Sequence, residues 1–258
     1  MPMSRLFLAS RQLAWLILLL WTLLHAVALR HEVTITTADL NDNVYHYRLV
    51  ARMVEALESG ENPLDCWVSE WSFGYPVSRT YQPLGHIVPA LAYLGLGKSI
   101  SLLTLFVWIR YLLVCLFPLT IYYTSRLLHL DRPAAVAAAL VAPLLATNGL
   151  YSLEYGSFLW RGNGLYTQAW AMHFLPLSLG FALRAVQSGQ GLAHAGLFLA
   201  LTFVSHLMYG YIGALSACLL VVLPHPSLSR LRRAVRVASV GLVTMSLSAF
   251  FYPAAVES

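Results

Sequence analysis

Asp42 and His46 lie four residues apart in the most polar stretch of this 258-residue chain. At that spacing two side chains share one face of a helix. A carboxylate beside an imidazole can accept a proton, and the pair can also contribute to a divalent-cation site. A purely structural reading competes: an acid in a first helical turn is favoured by the helix dipole, and a surface histidine needs no special role. Arg161, and after it Arg79, could grip phosphate oxygens bidentately; as loop arginines both could equally be solvated. His206 follows Ser205 near the middle of a long apolar run. An ionisable group at membrane depth marks a functional site, whereas one at an apex simply reaches water. His86 and His173 have weaker claims.

The elements that must carry these residues are set by composition. Hydrophobic residues make up 59% of the chain and charged ones 10%, against about 25% charged in an ordinary soluble domain. A disordered protein, a nucleic-acid module and most cytosolic enzymes are thereby excluded. Of the 16 basic residues 15 are arginine, and they are scattered between apolar runs instead of forming one patch, so they read as topology charges. Cys66, Cys115 and Cys218 lie far apart, with no CxxC pair, which gives neither a disulfide framework nor a zinc site.

A transmembrane helix needs about 20 mostly apolar residues. Runs of that kind cover residues 12–29, 99–124, 134–150, 166–183, 192–223 and 234–252. As a single helix, 192–223 would be about 48 Å long, well over a hydrocarbon core of roughly 30 Å. With Tyr209-Gly210-Tyr211 near its middle, it reads as two short spans meeting at a tight apex. The expected fold is all-α, one membrane domain over residues 1–258 with about seven spans. The first span is 12–29, the external segment 30–98, and the remaining spans lie in 99–252.

Charge orients the bundle. With the N-terminus inside, the turns 126–132, 184–190 and 230–236 hold seven arginines and one acid, while eight of the 11 acids fall in 30–98, as the positive-inside rule requires. Residues 83–97 are apolar but only 15 long and contain His86 and Pro89. They read as a re-entrant or interfacial helix, because a full crossing would flip every later turn outward. Arg5, Arg11 and Ala26-Val27-Ala28 also resemble a signal peptide with a cleavage site; the anchor reading is preferred. Arg110 falls inside a span, where it requires a partner or a snorkelling route that periodicity does not name.

Within the external segment, residues 40–59 read as an amphipathic helix with Val44, Tyr47, Val50, Ala51, Val54 and Leu57 on its apolar face. Asp39 is placed to cap it, and Gly60, Asn62 and Pro63 stop it. An aromatic stretch, Trp67 to Pro76, follows. It suits an interfacial belt, but Gly74 and Pro76 around Tyr75 add a fixed turn that a belt does not require.

The succession Asp42-x3-His46, Gly60, Asn62-Pro63, Trp67, Gly74-Tyr75-Pro76 and Tyr81-x-Pro83-Leu84 resembles the first external loop of the C-type glycosyltransferases. These are polytopic enzymes that take sugar from a polyprenyl-phosphate carrier. Within them the chain is most similar to the membrane group labelled "6-pyruvoyl-tetrahydropterin synthase related", although it shows no soluble pterin-synthase pattern and no zinc-binding histidine triplet. Arg126-Leu127-Leu128, Arg161-Gly162 and Ser205-His206 extend the likeness along the whole chain. The resemblance implies that a first-loop aspartate is the catalytic base; Asp42 matches best because His46 follows at the family spacing, with Asp39 in reserve. It implies donor-phosphate and substrate contacts among Arg161, Arg79, His206, Tyr81, His86 and Glu154. Asp42 and His46 could hold Mg²⁺ or Mn²⁺, with no other cofactor. Where relatives often carry an acid after the second-loop Arg-Gly, this chain has Gln168, with Glu154 earlier. C-type enzymes usually continue with further spans, so the chain resembles an N-terminal half.

One essential carboxylate means a single displacement that inverts the anomeric centre. The expected partners are the lipid bilayer, a polyprenyl-phosphate-linked sugar and further membrane subunits, with no nucleic acid. A secondary transporter is the main rival, followed by a non-catalytic membrane scaffold. No internal repeat of the transporter kind is evident, and the acids sit in a loop instead of the spans. Scarce lysine beside abundant Arg and Ala points to a GC-rich prokaryote, a bacterium first, and hence to the plasma membrane.

Overall fold

A computed structural model describes residues 3–34, 42–70, 73–144, 166–223 and 228–250, and all of its regular structure is helical. Asp39, Glu154, Arg161 and Gly162 lie outside the described residues. The elements are α1 (Met3–Ala28), α2 (His31–Thr34), α3 (Asp42–Ser59), α4 (Val77–Thr80), α5 (Leu84–Gly95), α6 (Leu102–Leu127) and α7 (Arg132–Val141, continued by a 3₁₀ turn Ala142–Leu144). They continue with α8 (Tyr166–Ser188), α9 (Leu192–Ser205), α10 (Leu207–Leu219) and α11 (Arg230–Ser248).

Three helices are long and apolar enough to cross a membrane: α1 from Arg11 to Ala28, α6 and α8. Helices α5, α9 and α10, and Arg132–Leu144, are apolar but shorter. Each end has a local cause. The Ser101 hydroxyl accepts from Thr104 N–H at 3.0 Å to start α6, and the Asp131 carboxylate accepts from Ala134 N–H at 2.9 Å to start α7. Between them His129 adopts a left-handed φ of 65°, and Leu130 N–H returns to Ser125 O at 3.0 Å, which closes α6.

The apolar run 192–223 does divide. At His206 the backbone is extended, and its imidazole accepts from Tyr209 N–H to begin α10. The two halves fold back on each other: a Cβ on Gly210 would stand 2.3 Å from the Phe203 ring, and one on Gly213 2.8 Å from Leu199. Helix α11 then runs alongside α9 in the same direction. Thr244 Oγ1 donates to Gly196 O at 3.3 Å, and one end of α11 is tied down by Arg236, which donates to Val186 O at 2.7 Å. At 14 and 13 residues α9 and α10 are each about 20 Å long.

Helix α5 has 12 residues, a rise of about 18 Å, short of a hydrocarbon core of roughly 30 Å. It packs mainly on α3. Helix α3 itself corrects one expectation. Its buried residues are Asn43, His46, Leu49, Val50, Met53, Val54 and Ala56, whereas Val44 is 40% exposed. A single apolar stripe was the wrong template because the helix is wedged between two groups of neighbours. Val50, Met53 and Val54 meet Ala90, Phe106 and Tyr166, while Leu49 meets Val68 and Val77 on the other side. The helix stops as expected: Gly60 takes φ 76° and Glu61 N–H returns to Ala56 O at 2.8 Å.

The Arg110 question resolves at the join of α2 and α6. Its guanidinium meets the Glu32 carboxylate at 2.7 Å, both side chains being nearly enclosed at 9% and 13% exposure. One residue on, the Tyr111 hydroxyl donates to Ala26 O at 2.6 Å. The end of α1 and the start of the segment that follows it are therefore both clamped to α6.

Candidate active site

Asp42 is the first residue of α3 and is exposed. Six of the seven described acids between residues 30 and 98 are in ion pairs. Glu55 and Glu70 share Arg48, Glu61 meets Arg52, Asp65 meets Arg79, Glu58 meets Lys98 and Glu32 meets Arg110. Asp42 is the seventh. It is the one described carboxylate of the segment that makes no ion pair.

Arg79, expected as a phosphate ligand, is bidentate to Asp65 at 2.6 and 3.0 Å. That contact holds the Asp65 carboxyl below the usual carboxylate range. The two residues fasten the loop after Asn62-Pro63 to α4, where Ser78 also reaches Pro63 O. The turn ahead of α4 is built as its glycine required. Val68 and Tyr75 form an antiparallel bridge, Gly74 takes φ 92°, and a Cβ there would lie 2.4 Å from the Trp67 indole nitrogen.

Behind Asp42 the first turns of α3, α5 and α8 meet in a cluster of histidine and tyrosine rings. His46 Nδ1 and His86 Nε2 are 3.0 Å apart, the rings stacked with centroids 5.3 Å apart, and each residue is 1% exposed. Tyr166 of α8 packs at 5.3 Å on His46 and donates its hydroxyl to Gly85 O at 2.7 Å. Tyr81 lies edge-on to Tyr45 at 5.8 Å and hydrogen-bonds Thr167. Burial first, then the hydroxyls of Tyr75 and Tyr81 and the carboxylate of Asp42, push the Tyr45 phenol upward. Burial followed by Asp42 does the same to Tyr81. Both phenols are thus neutral, and each feels the Asp42 carboxylate electrostatically.

The histidine pair has an assignable hydrogen pattern. His86 Nδ1 faces Gln82 O at 3.1 Å, and a carbonyl only accepts, so Nδ1 carries the proton. In the neutral ring Nε2 then accepts, and His46 donates to it through Nδ1. Burial, then the neighbouring His46, holds His86 well below the ordinary value of 6.5. The folded state therefore refuses a proton that the unfolded chain accepts below about pH 6.5. Stability is full above that pH and falls as the pH drops beneath it, at a limiting slope of about 1.4 kcal/mol per pH unit for one histidine. Thermal unfolding in detergent between pH 7.5 and 5.5 checks this. The loss on acidification is expected to shrink in His86→Gln, and an undiminished loss in that variant would contradict the assignment.

Two residues that sequence reasoning passed over as donors extend the cluster toward the apex. Gln168 donates from Nε2 to the Tyr209 hydroxyl at 2.7 Å, and the Tyr209 and His206 rings lie 4.9 Å apart. Gln168 was noted only as a departure from an acid; the Tyr-Gly-Tyr at the apex was the available signal for Tyr209. His206 itself is occupied as a cap of α10. Among the described residues no group of three or more His, Cys, Asp or Glu side chains stands ready for a metal ion.

Below the cluster an apolar groove of about 510 Å³ runs between α6 and α8. Leu112, Leu116 and Phe174 line it, with Trp170 at the end nearest Gly85. Its polar floor is satisfied: Thr120 donates to His173 Nδ1, and His173 Nε2 donates to Leu113 O, both at 2.7 Å. No protein-family model matches the chain, and no curated protein matches it.

Proposed function

We propose that this chain is a membrane glycosyltransferase-like protein, moving sugar from a polyprenyl-phosphate carrier to an acceptor hydroxyl at the external face. The observation that carries the reading is the unmatched Asp42 carboxylate at the rim of a buried His/Tyr cluster, above a membrane-facing apolar groove. In the single displacement, the acceptor oxygen attacks the anomeric carbon and its proton passes to Asp42. The bond from that carbon to the phosphate oxygen breaks, and polyprenyl phosphate leaves with the electron pair. The anomeric centre inverts. The N-terminal ends of α5 and α8 contribute partial positive charge where a phosphate would lie, and Arg161 is the cation best suited to join them. Arg79 would first have to leave Asp65. The groove between α6 and α8 suits a prenyl chain.

Mg²⁺ or Mn²⁺ remains a proposal of the resemblance; when bound it would offset phosphate charge, with Asp42 and His46 among its ligands. The protein's own residues carry every step given above. The reading is tested by supplying reconstituted protein with labelled polyprenyl-phosphate sugar and acceptor, and following release of polyprenyl phosphate. Loss of donor without a glycosylated product would count against transfer. Movement of intact donor across the vesicle would favour a transporter.

The same reading takes seven crossings in a bacterial plasma membrane: α1 outward, α6 inward, α7 outward, α8 inward, the α9–α10 hairpin out and back, and α11 outward. The fold-back of α10 on α9 and the shared direction of α9 and α11 support it. Cysteine labelling of intact cells tests it. Native Cys66 is buried, so the external reporter is Ser69→Cys, in a background with the exposed Cys218 changed to Ser. Ser69→Cys is expected to label and Gln190→Cys to stay protected until the membrane is opened. Labelling of both from outside would mean that an odd number of crossings has been miscounted between them.

A further inference from the structure

We infer that a groove at the arginine-bearing end of α1 and α7 is a binding site for an anionic phospholipid of the adjacent leaflet. The site is remote from the Asp42 cluster and does not depend on the glycosyltransferase reading.

The groove encloses about 640 Å³ between α1 and α7. Its walls are apolar, with Leu13 and Ile17 on one side and Val136 and Leu140 on the other. Small residues keep the two helices close beneath it: Ala14, Ala135 and Ala139 are buried together against Tyr122. The polar end is different in kind. Arg126 and Arg132 border it, and Asp131 stands between them. The Asp131 carboxylate accepts from the Ala134 N–H and Arg126 donates to Leu130 O, so helix-end contacts hold both residues at the mouth, which Arg132 also lines. Arg11 precedes Ala14 by three residues and lies on the same face of α1.

Charge and length together select the occupant. A second protein helix would bring apolar side chains along the whole groove and leave the arginines facing its backbone. A phospholipid brings a phosphate to the arginines and hydrocarbon to the rest. From Arg132 to Leu140 the groove rises about 12 Å, which fits within one leaflet of a hydrocarbon core roughly 30 Å thick. A basic residue near an anionic leaflet is worth about a fivefold gain in affinity, so two give about thirtyfold.

The test uses the whole protein in detergent, titrated with phosphatidylglycerol or phosphatidylcholine of the same chains and read by native mass spectrometry. Wild type is expected to hold phosphatidylglycerol more than tenfold tighter than phosphatidylcholine. Arg126→Gln with Arg132→Gln should bring that ratio below threefold. Ala137→Trp, which fills the groove and leaves both arginines, should weaken both lipids alike. Melting temperatures without added lipid report whether each variant is folded; if the arginine pair is not, Ala137→Trp and the wild-type ratio decide the matter. Equal retention of the two lipids by wild type overturns the site, as does a double arginine variant that keeps the preference. Wild type that binds neither lipid and elutes as a dimer would assign the groove to a second copy and equally overturn it.

Discussion

Arg110→Leu is expected to be the most destabilising single change in the described bundle. Removing the guanidinium leaves the Glu32 carboxylate nearly enclosed, 13% exposed, with its charge uncompensated. Breaking a buried pair from one side costs about 3–5 kcal/mol, because desolvation of the remaining charge is no longer offset. Glu32→Gln should cost less, since the amide keeps the shape and still accepts a hydrogen bond from Arg110. The double variant Arg110→Leu/Glu32→Leu should be more stable than the sum of the two leucine variants predicts, by well over the few tenths of a kcal/mol expected of independent sites. Thermal unfolding of wild type and the four variants, Glu32→Leu included, in one detergent measures this. Strict additivity would mean that the contact contributes nothing and that Arg110 is held by other groups. The consequence reaches beyond stability: the pair fixes where the chain leaves α1.

How far the sequence carried is clear from individual residues. The stop of α3 at Gly60, the split of 192–223 near Tyr209 and the turn around Gly74 were all legible. Each is local chemistry: a left-handed φ at glycine, or a helix too long for the bilayer. The Asp42–His46 spacing was legible as well, but not what His46 does. Its partner His86 is 40 residues away and on another helix. Glu32 and Arg110 are 78 residues apart, and Gln168 and Tyr209 are 41 apart. Pairings of this kind follow from how helices pack, and periodicity within one helix carries no trace of them. The same cause explains Val44: a stripe can be read from spacing, but α3 is covered on two sides, and which sides depends on α5, α8 and the loop through Val68.

Asp42→Asn is expected to have the largest effect on function. The amide keeps the size and the acceptor oxygen of the carboxylate, so the start of α3 should survive. It lacks the basicity, and losing a general base typically costs about 10² to 10⁴ in rate. If Asp42 served only the helix dipole, the same change would cost about 0.3–1 kcal/mol of stability and leave turnover almost intact. Glu55→Gln is the matched control, because that carboxylate is already held by Arg48 and should be dispensable for turnover. Repeating the assay with EDTA, and then with Mg²⁺ or Mn²⁺ restored, separates a base acting alone from one acting beside a cation. Asp39→Asn shows whether the neighbouring acid shares the role.

The most direct test of the central claim is the rate of polyprenyl phosphate release by wild type and Asp42→Asn, each reconstituted with the same donor and acceptor and shown by melting temperature to be folded. The account predicts a fall of at least about a hundredfold in the variant, with the donor still bound. Turnover within twofold of wild type would contradict it and remove Asp42 from the chemistry.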